Sequence, residues 1–448
     1  MNASQALEQR LHYLRSSVLR GSDLLLTTSG GTAGAQAQAH PRLFTGTLGH
    51  PEQAAAALLV VARVARTRFY IPPGMVAAAI RAADPVVTSN GDRLRFESFS
   101  ACCGVYARLD LLPGSLDRPA LDTGTTNIDL NPPTRQALAG VAAGEPLHLD
   151  VGLDDVVVTT LDGSSVERKV PLPDRWLKGF AEVQTAAASM SPWLELDALQ
   201  ARRFLQALPR QPSRAGVWAV PAGSGARLAS RPADGAVCAG GPERLRVFEP
   251  LLRFARGLRA YGAPVGSAAA PSAWELVLDD ARLVVALSPE TSRGFSGEGG
   301  VLLGLAEEGS SDDADLVAAA LDGQSRLEPA ALAGTTGLGL ARVLAALPHL
   351  SAAGRVGFDL AEAAWFLREL PYDRQLLDRM HPRLVAAREL ADSGAVRSVN
   401  GGADVSSGEV VHRVRWDERG DRCTCPWWGR YQGERGPCKH VLAARLAR

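Results

Sequence analysis

Three observations place this chain in the α+β multidomain class. It is 448 residues long, enough for several domains with real cores. Its apolar spacing switches repeatedly between helical and period-two runs. Its last twenty-six residues hold a dense cysteine and histidine cluster that fits a small ββα-like metal module.

Along the chain, Leu7, Leu11, Leu14 and Val18 fall at helical spacing and predict an amphipathic helix over 4–20. Small residues over 27–40 predict a loop, and 52–66 and 74–83 read as helices. The period then becomes two at Leu94, Phe96 and Val105–Leu109, which predicts paired strands. Further strands are expected at 146–152, 154–161 and 165–171, with Asp162-Gly163 as a hairpin turn, followed by helices at 176–190 and 194–207. These make a first α+β domain, 1–207. A Pro/Gly/Ser-rich stretch with a strand piece at 217–220, a helix at 243–260 and strands at 273–278 and 281–287 make a second, smaller one, 215–305.

Glu307 to Asp313 reads as a linker. Helices are expected at 315–320, 328–333, 337–347 and 359–369, so 311–373 is a helical segment. The run from Leu338 to Phe358 has the helix, turn and strand order of a winged helix. A helix at 373–392 and a hairpin from 395–400 and 409–416 open the last domain, 374–448.

Composition excludes several function classes. Forty-eight basic residues balance forty-eight acidic ones, so no global field draws the chain to nucleic acid or membrane. Lysine occurs only at 169, 178 and 439, none in a Gly-Lys-Ser/Thr context, so there is no P-loop. The N-terminus lacks a basic start before an apolar core, and the longest apolar stretch, Ala54 to Ala62, is too short to cross a bilayer. A cytoplasmic protein is expected, since free thiols suit a reducing compartment. The Ala, Gly and Arg bias resembles a GC-rich bacterial coding sequence.

The chemistry concentrates at the tail. Cys423-Thr424-Cys425 and Cys438-Lys439-His440 gather three of six cysteines within eighteen positions. Residues i and i+2 of a strand project to one side, and Pro426 ends that strand. Gly436-Pro437 marks a turn before a helix-forming run, so Cys438 sits at a helix entrance and His440 in its first turn. Three thiolates and an imidazole suit one tetrahedral Zn²⁺ with every position filled by protein, a structural site. A Cys-x-Cys disulfide would be strained and would leave a third cysteine over. Cys102 and Cys103 are neighbours on a strand pattern and point apart, Cys238 is solitary, and Gly294–Glu298 lacks the second glycine of a nucleophile elbow. A non-enzymatic protein is expected, although an active site assembled from distant residues of the α+β region stays open.

CxC followed by CxH, with GPCKHVLA around the second pair and a hairpin before the first, resembles the SWIM-type zinc finger family over roughly 392–446. The resemblance implies Cys423, Cys425, Cys438 and His440 as ligands of one structural zinc, and a module that binds protein or DNA rather than catalysing. The resemblance is to standalone bacterial forms, which implies an adaptor accessory to an AAA+ ATPase or a von Willebrand A-type protein.

Residues 409–448 carry nine Lys/Arg against five Asp/Glu. Arg413, Arg415, Trp427, Trp428, Arg430 and Tyr431 interleave cations with aromatics, a pattern for phosphate contact and base stacking, or equally for packing and protein contact. Alternation puts Val410, His412, Val414 and Trp416 on one strand face and Val411, Arg413 and Arg415 on the other, with His412 read as a core residue in preference to a substitute ligand. The adaptor reading and the DNA-binding reading both remain at this point, and the oligomeric state is unknown.

Overall fold

Strand pairing, rather than chain order, organises the larger of two units in the computed structural model of this chain. The structure describes residues 42–69, 85–152, 174–212, 216–263, 269–289, 294–306, 310–321, 326–370 and 379–448, except 121, 128–129, 131, 298 and 418–419. It also describes the strand pieces 11–12, 18–20, 23–26, 32–33 and 168–169. One unit comprises 1–176, 189–294 and 323–325; the other comprises 177–188, 295–322 and 326–448.

The first unit is built on a nine-stranded antiparallel sheet. Its order is Ser191–Asp197, Gly257–Gly262, Ser272–Leu278, Ala281–Leu287, Val105–Leu111, Leu94–Phe99, Val86–Asn90, Thr123–Asn127 and Thr32–Ala33. Leu283 pairs with Leu109, so the ladder runs from the expected domain 1–207 straight into the expected domain 215–305. Hydrogen-bonded pairing thus joins segments that a turn-rich stretch separates in sequence.

Alternation explains the two sheet faces. Leu94, Phe96, Ala107, Leu109, Leu283 and Val285 enter the main core, with helices Pro51–Arg66 and Ala198–Gln206 and the 3₁₀ segment Pro242–Leu251 contributing to it. On the other face, Asp110 receives Arg108 at 2.9 Å, Arg282 at 2.8 Å and Arg95 at 3.7 Å, all buried. The shared carboxylate gives each of the three buried guanidinium groups an acidic partner out of water.

Several boundaries move for identifiable reasons. The expected helix 194–207 starts only at Ala198, because Asp197 caps it through a capping box with Gln200 and 191–197 pairs with 257–262. The expected helix 243–260 becomes a 3₁₀ segment containing Pro250, then the strand Gly257–Gly262. Within the expected helix 4–20, Leu11–His12 and Val18–Arg20 are strands, paired with Arg168–Lys169 and Asp23–Leu26; pairing overrides propensity. Inside the expected loop 27–40, Thr32–Ala33 is a strand, paired with Gly124 and Thr125. The expected elements at 74–83, 154–161 and Asp162-Gly163, most of 165–171 and the linker residues 307–309 lie outside the described residues.

The second unit begins with a helix from Ser310 to Ala319, where a linker was expected. Asp312 and Asp313 in its first turn suit a helix N-terminus. Helices Pro329–Thr336 and Leu340–Ala352 follow, then a hairpin of Val356–Asp359 and Ala364–Leu367 in place of the expected helix 359–369. Phe358 and Trp365, paired across that hairpin, meet edge to face. Leu327, between the first two helices, bridges to Trp365. Helix, bridging strand residue, helix, helix and hairpin are in the order of a winged helix. Its third helix exposes Leu340 and Leu344, each 49% accessible, and its Arg342 is tied to Asp313 at 2.8 Å.

The helix Pro382–Asp392 then leads into a four-stranded meander, Val396–Val399, Gly402–Ser407, Val410–Asp417 and Gly420–Cys423. Short helices Pro426–Tyr431 and Lys439–Leu446 finish the chain. Among the described residues no single helix is long and apolar enough to cross a membrane.

Candidate metal centre

Each ligand is placed by an element end. Cys423 is the last residue of its strand and pairs with Val414. Cys425 is the N-cap of Pro426–Tyr431, and its Sγ accepts the Trp428 N–H at 3.4 Å. Cys438 repeats the arrangement at Lys439–Leu446, its Sγ accepting the Val441 N–H at 3.5 Å. His440 follows within the first turn. Proline at the start of the first helix costs nothing there, since that N–H has no helical partner.

The four donor atoms lie within 4.8 Å of one another, all on buried residues. Tetrahedral zinc with Zn–S near 2.3 Å puts sulfurs about 3.8 Å apart, so the cluster needs only a small contraction to close on an ion. His440 Nδ1 faces Cys423 Sγ at 3.9 Å. Without an ion the thiols compete for one negative charge. Hydrogen bonds from Cys423, His440 and the Val441 amide pull the Cys438 thiol down to about 4, against the opposing effect of burial. Cys423 is pushed up, first by its hydrogen bond to Cys438 and then by burial; Cys425 is pushed up mainly by burial. A divalent cation resolves this competition by taking all three as thiolates. The residues present therefore fit structural zinc, and the full protein shell leaves no position for a reacting water.

The ligands are also core residues. Cys423, Cys425 and Cys438 belong to one cluster with Ala181, Val301, Leu302, Leu305, Leu384, Ala387, Val405, Val414 and Val441. Zinc binding is thereby coupled to packing outside the last fifty residues.

The expected contact residues separate into distinct environments. Arg413 is exposed, its backbone joined to Thr424 by an N–H to the threonine hydroxyl at 3.0 Å and by the Thr424 N–H to its carbonyl. Arg415 lies 3.9 Å from Asp404, which also takes Arg397 at 3.0 Å. Arg422 pairs with Asp417, and Arg445 with Asp421 at 2.7 Å. Trp427 is covered by the guanidinium of Arg383 at 4.5 Å. Tyr431 carries Arg435 at 4.9 Å and Arg430 at 5.3 Å. Trp428 is half-buried and packs against the finger core. Val414 is fully buried and His412 partly so, whereas Val410 stands 55% accessible beside Val411 at 56%.

Arg383 is the residue that sequence reasoning passed over. It donates to the carbonyls of Arg435 at 2.9 Å and Pro437 at 2.8 Å, strapping the turn that delivers Cys438. Nothing in the local sequence around Arg383 signals this, because its partners lie more than fifty residues away. At that turn Gly436 has φ +73°, and a Cβ there would meet the Gly299 carbonyl at 2.3 Å, so only glycine fits.

Comparison with known proteins agrees with this geometry. The family model for the SWIM zinc finger matches residues 412–448. No curated protein matches the chain. Among solved structures, the proliferating cellular nuclear antigen of Entamoeba histolytica is similar at 8% identity, covering 55% of this chain and 99% of its own, with a TM-score of 0.30. The PCNA2-PCNA3 complex of Sulfolobus tokodaii is similar at 6% identity, covering 56% and 100%, with a TM-score of 0.34. Superpositions of that quality carry no inference about this chain. The donor set, its geometry and the family match converge on one conclusion: the chain carries a SWIM zinc finger, in which Cys423, Cys425, Cys438 and His440 hold one structural Zn²⁺.

Proposed function

We propose that the finger is a protein-docking module and that the chain is a non-enzymatic adaptor. The observation that carries this reading is the pairing of several of the finger's cations with its own carboxylates. Arg397 and Arg415 share Asp404, Arg422 meets Asp417 and Arg445 meets Asp421. The aromatic faces suited to base stacking are already taken by guanidinium groups on Trp427 and Tyr431. What the finger presents instead is the apolar pair Val410 and Val411. An exposed apolar pair suits a protein interface better than a phosphate backbone. The exposed leucines and the one arginine of the helix Leu340–Ala352, tied to Asp313, point the same way. The resemblance to standalone SWIM proteins supplies the partner class, an AAA+ ATPase or a von Willebrand A-type protein.

The DNA reading rests on Arg413 and Arg430, exposed cations for which no carboxylate partner is seen among the described residues. One experiment separates the two. The tagged, zinc-loaded chain is tested for co-purification with an AAA+ or von Willebrand A-type protein and for binding a short random-sequence duplex across a salt series. Docking predicts specific co-purification lost in a Val410→Asp, Val411→Asp double variant, with no salt-sensitive duplex binding. Duplex affinity that falls steeply with salt and drops in Arg413→Ala, with no partner of either class recovered, would overturn it.

A further inference from the structure

A metal-bound imidazole ordinarily donates its remaining N–H to a carboxylate, carbonyl or water, and that bond sets the plane of the ring. No protein group among the described residues gives His440 this support. Its Nδ1 faces the sulfurs, while its Nε2 is buried with no hydrogen-bond partner among the described residues. What lies against the ring is another imidazole. The His412 ring packs against that of His440, with centroids 4.1 Å apart and planes inclined by 36°.

The fold fixes where His412 stands. It occupies the strand Val410–Asp417, two residues before Val414, whose partner across the ladder is the ligand Cys423. On its other side it pairs with buried Val405. His412 is not among the four clustered donors. Its ring therefore approaches the centre from the strand that also registers Cys423, while His440 approaches from the terminal helix.

We propose that His412 is a positioning residue of the zinc site, holding the His440 imidazole in the ligating plane by ring contact in place of the usual outer hydrogen bond. The ring contact restricts rotation of His440 about its side-chain bonds, so less freedom is lost when the metal binds. This role is independent of which partner the finger docks.

The test uses the full-length chain, with zinc affinity measured by chelator competition and the donor set read from the absorption spectrum of the Co²⁺-substituted protein. His412→Ala is expected to weaken zinc binding about tenfold, at the low end for groups that orient a metal ligand, with a three-sulfur, one-nitrogen Co²⁺ spectrum retained. His412→Phe, which keeps a flat ring, is expected to bind zinc like the parent. Unchanged affinity in His412→Ala, or an equal loss in the Ala and Phe variants, overturns the proposal. Should the Ala variant not fold, His412→Phe and His412→Leu decide, since both fill the site and only one can stack. Tighter zinc binding by Phe supports the proposal, and equal binding overturns it.

Discussion

The nine-stranded sheet and the zinc finger solve the same problem at opposite sequence ranges. In the sheet, Ala281–Leu287 pairs with Val105–Leu111, so its ladder closes over more than 150 intervening residues. No single contact dominates, because aliphatic side chains from many segments share one core. In the finger, four consecutive strands form a meander and the ligands lie within eighteen positions. So short a segment buries little, and its folding free energy is concentrated in four donor atoms. Dispersed stabilisation tolerates the loss of most single aliphatic side chains better than concentrated stabilisation tolerates the loss of one donor.

Removing the metal should break the comparison most sharply. Chelation, or Cys438→Ser, is expected to remove on the order of 10 kcal/mol from the finger. Because the ligands share a cluster with Val301, Leu305, Leu384 and Ala387, hydrogen exchange should rise in 301–305 and 382–392 as well as in 396–448. Exchange in 94–111 and 272–287 should stay unchanged; loss of protection there would show that the two cores are not separately stabilised.

Acid should act next, and on the same unit. Burial holds His349 and His381 down to about 4, helped by the nearby charge of Arg388 at His349 and of Lys178, Arg383 and Arg388 at His381. A depressed imidazole contributes stability that is present above its unfolded value, near 6.5, and lost as pH falls toward 4. Each is worth on the order of 3 kcal/mol. Since zinc is also displaced by protons, the informative quantity is the difference in pH slope between the parent and His349→Gln. Equal slopes between pH 6.5 and 4 would contradict the assignment.

The sheet has its own concentrated point, and Asp110 tests it. Asp110→Ala leaves Arg95, Arg108 and Arg282 without their shared carboxylate and is expected to cost about 3–5 kcal/mol in denaturant unfolding, with zinc content unchanged. At the small end, Arg397→Ala breaks an exposed pair with Asp404 and should change stability by less than about 1 kcal/mol. A larger effect would mean that the finger's surface pairs do more than neutralise charge.

The legibility of the chain follows the same division. The metal ligands could be read directly because their spacing encodes their geometry: a strand end, a proline, a Gly-Pro turn and a helix start are all local signals. The strands around 94–111 and 273–287 were equally plain, since period two is a local property. The capping box at Asp197 and Gln200 was also there to be read and would have moved the helix start from 194 to 198. The first strand of the hairpin at 356–367 was legible, but the second, Ala364–Leu367, reads as helix because Ala, Trp, Phe and Leu fit either state, and only pairing to Phe358 and Leu327 chooses.

By itself, then, the sequence determined the donor set, the closed coordination shell and the absence of a P-loop, because each depends on residue identity at short spacing. Tertiary structure decided what lies across long gaps: that 105–111 joins 281–287, that Arg383 covers Trp427 and straps the turn to Cys438, and that His412 rests on His440. Local chemistry is written in spacing, whereas a contact between distant segments exists only once the chain between them has folded.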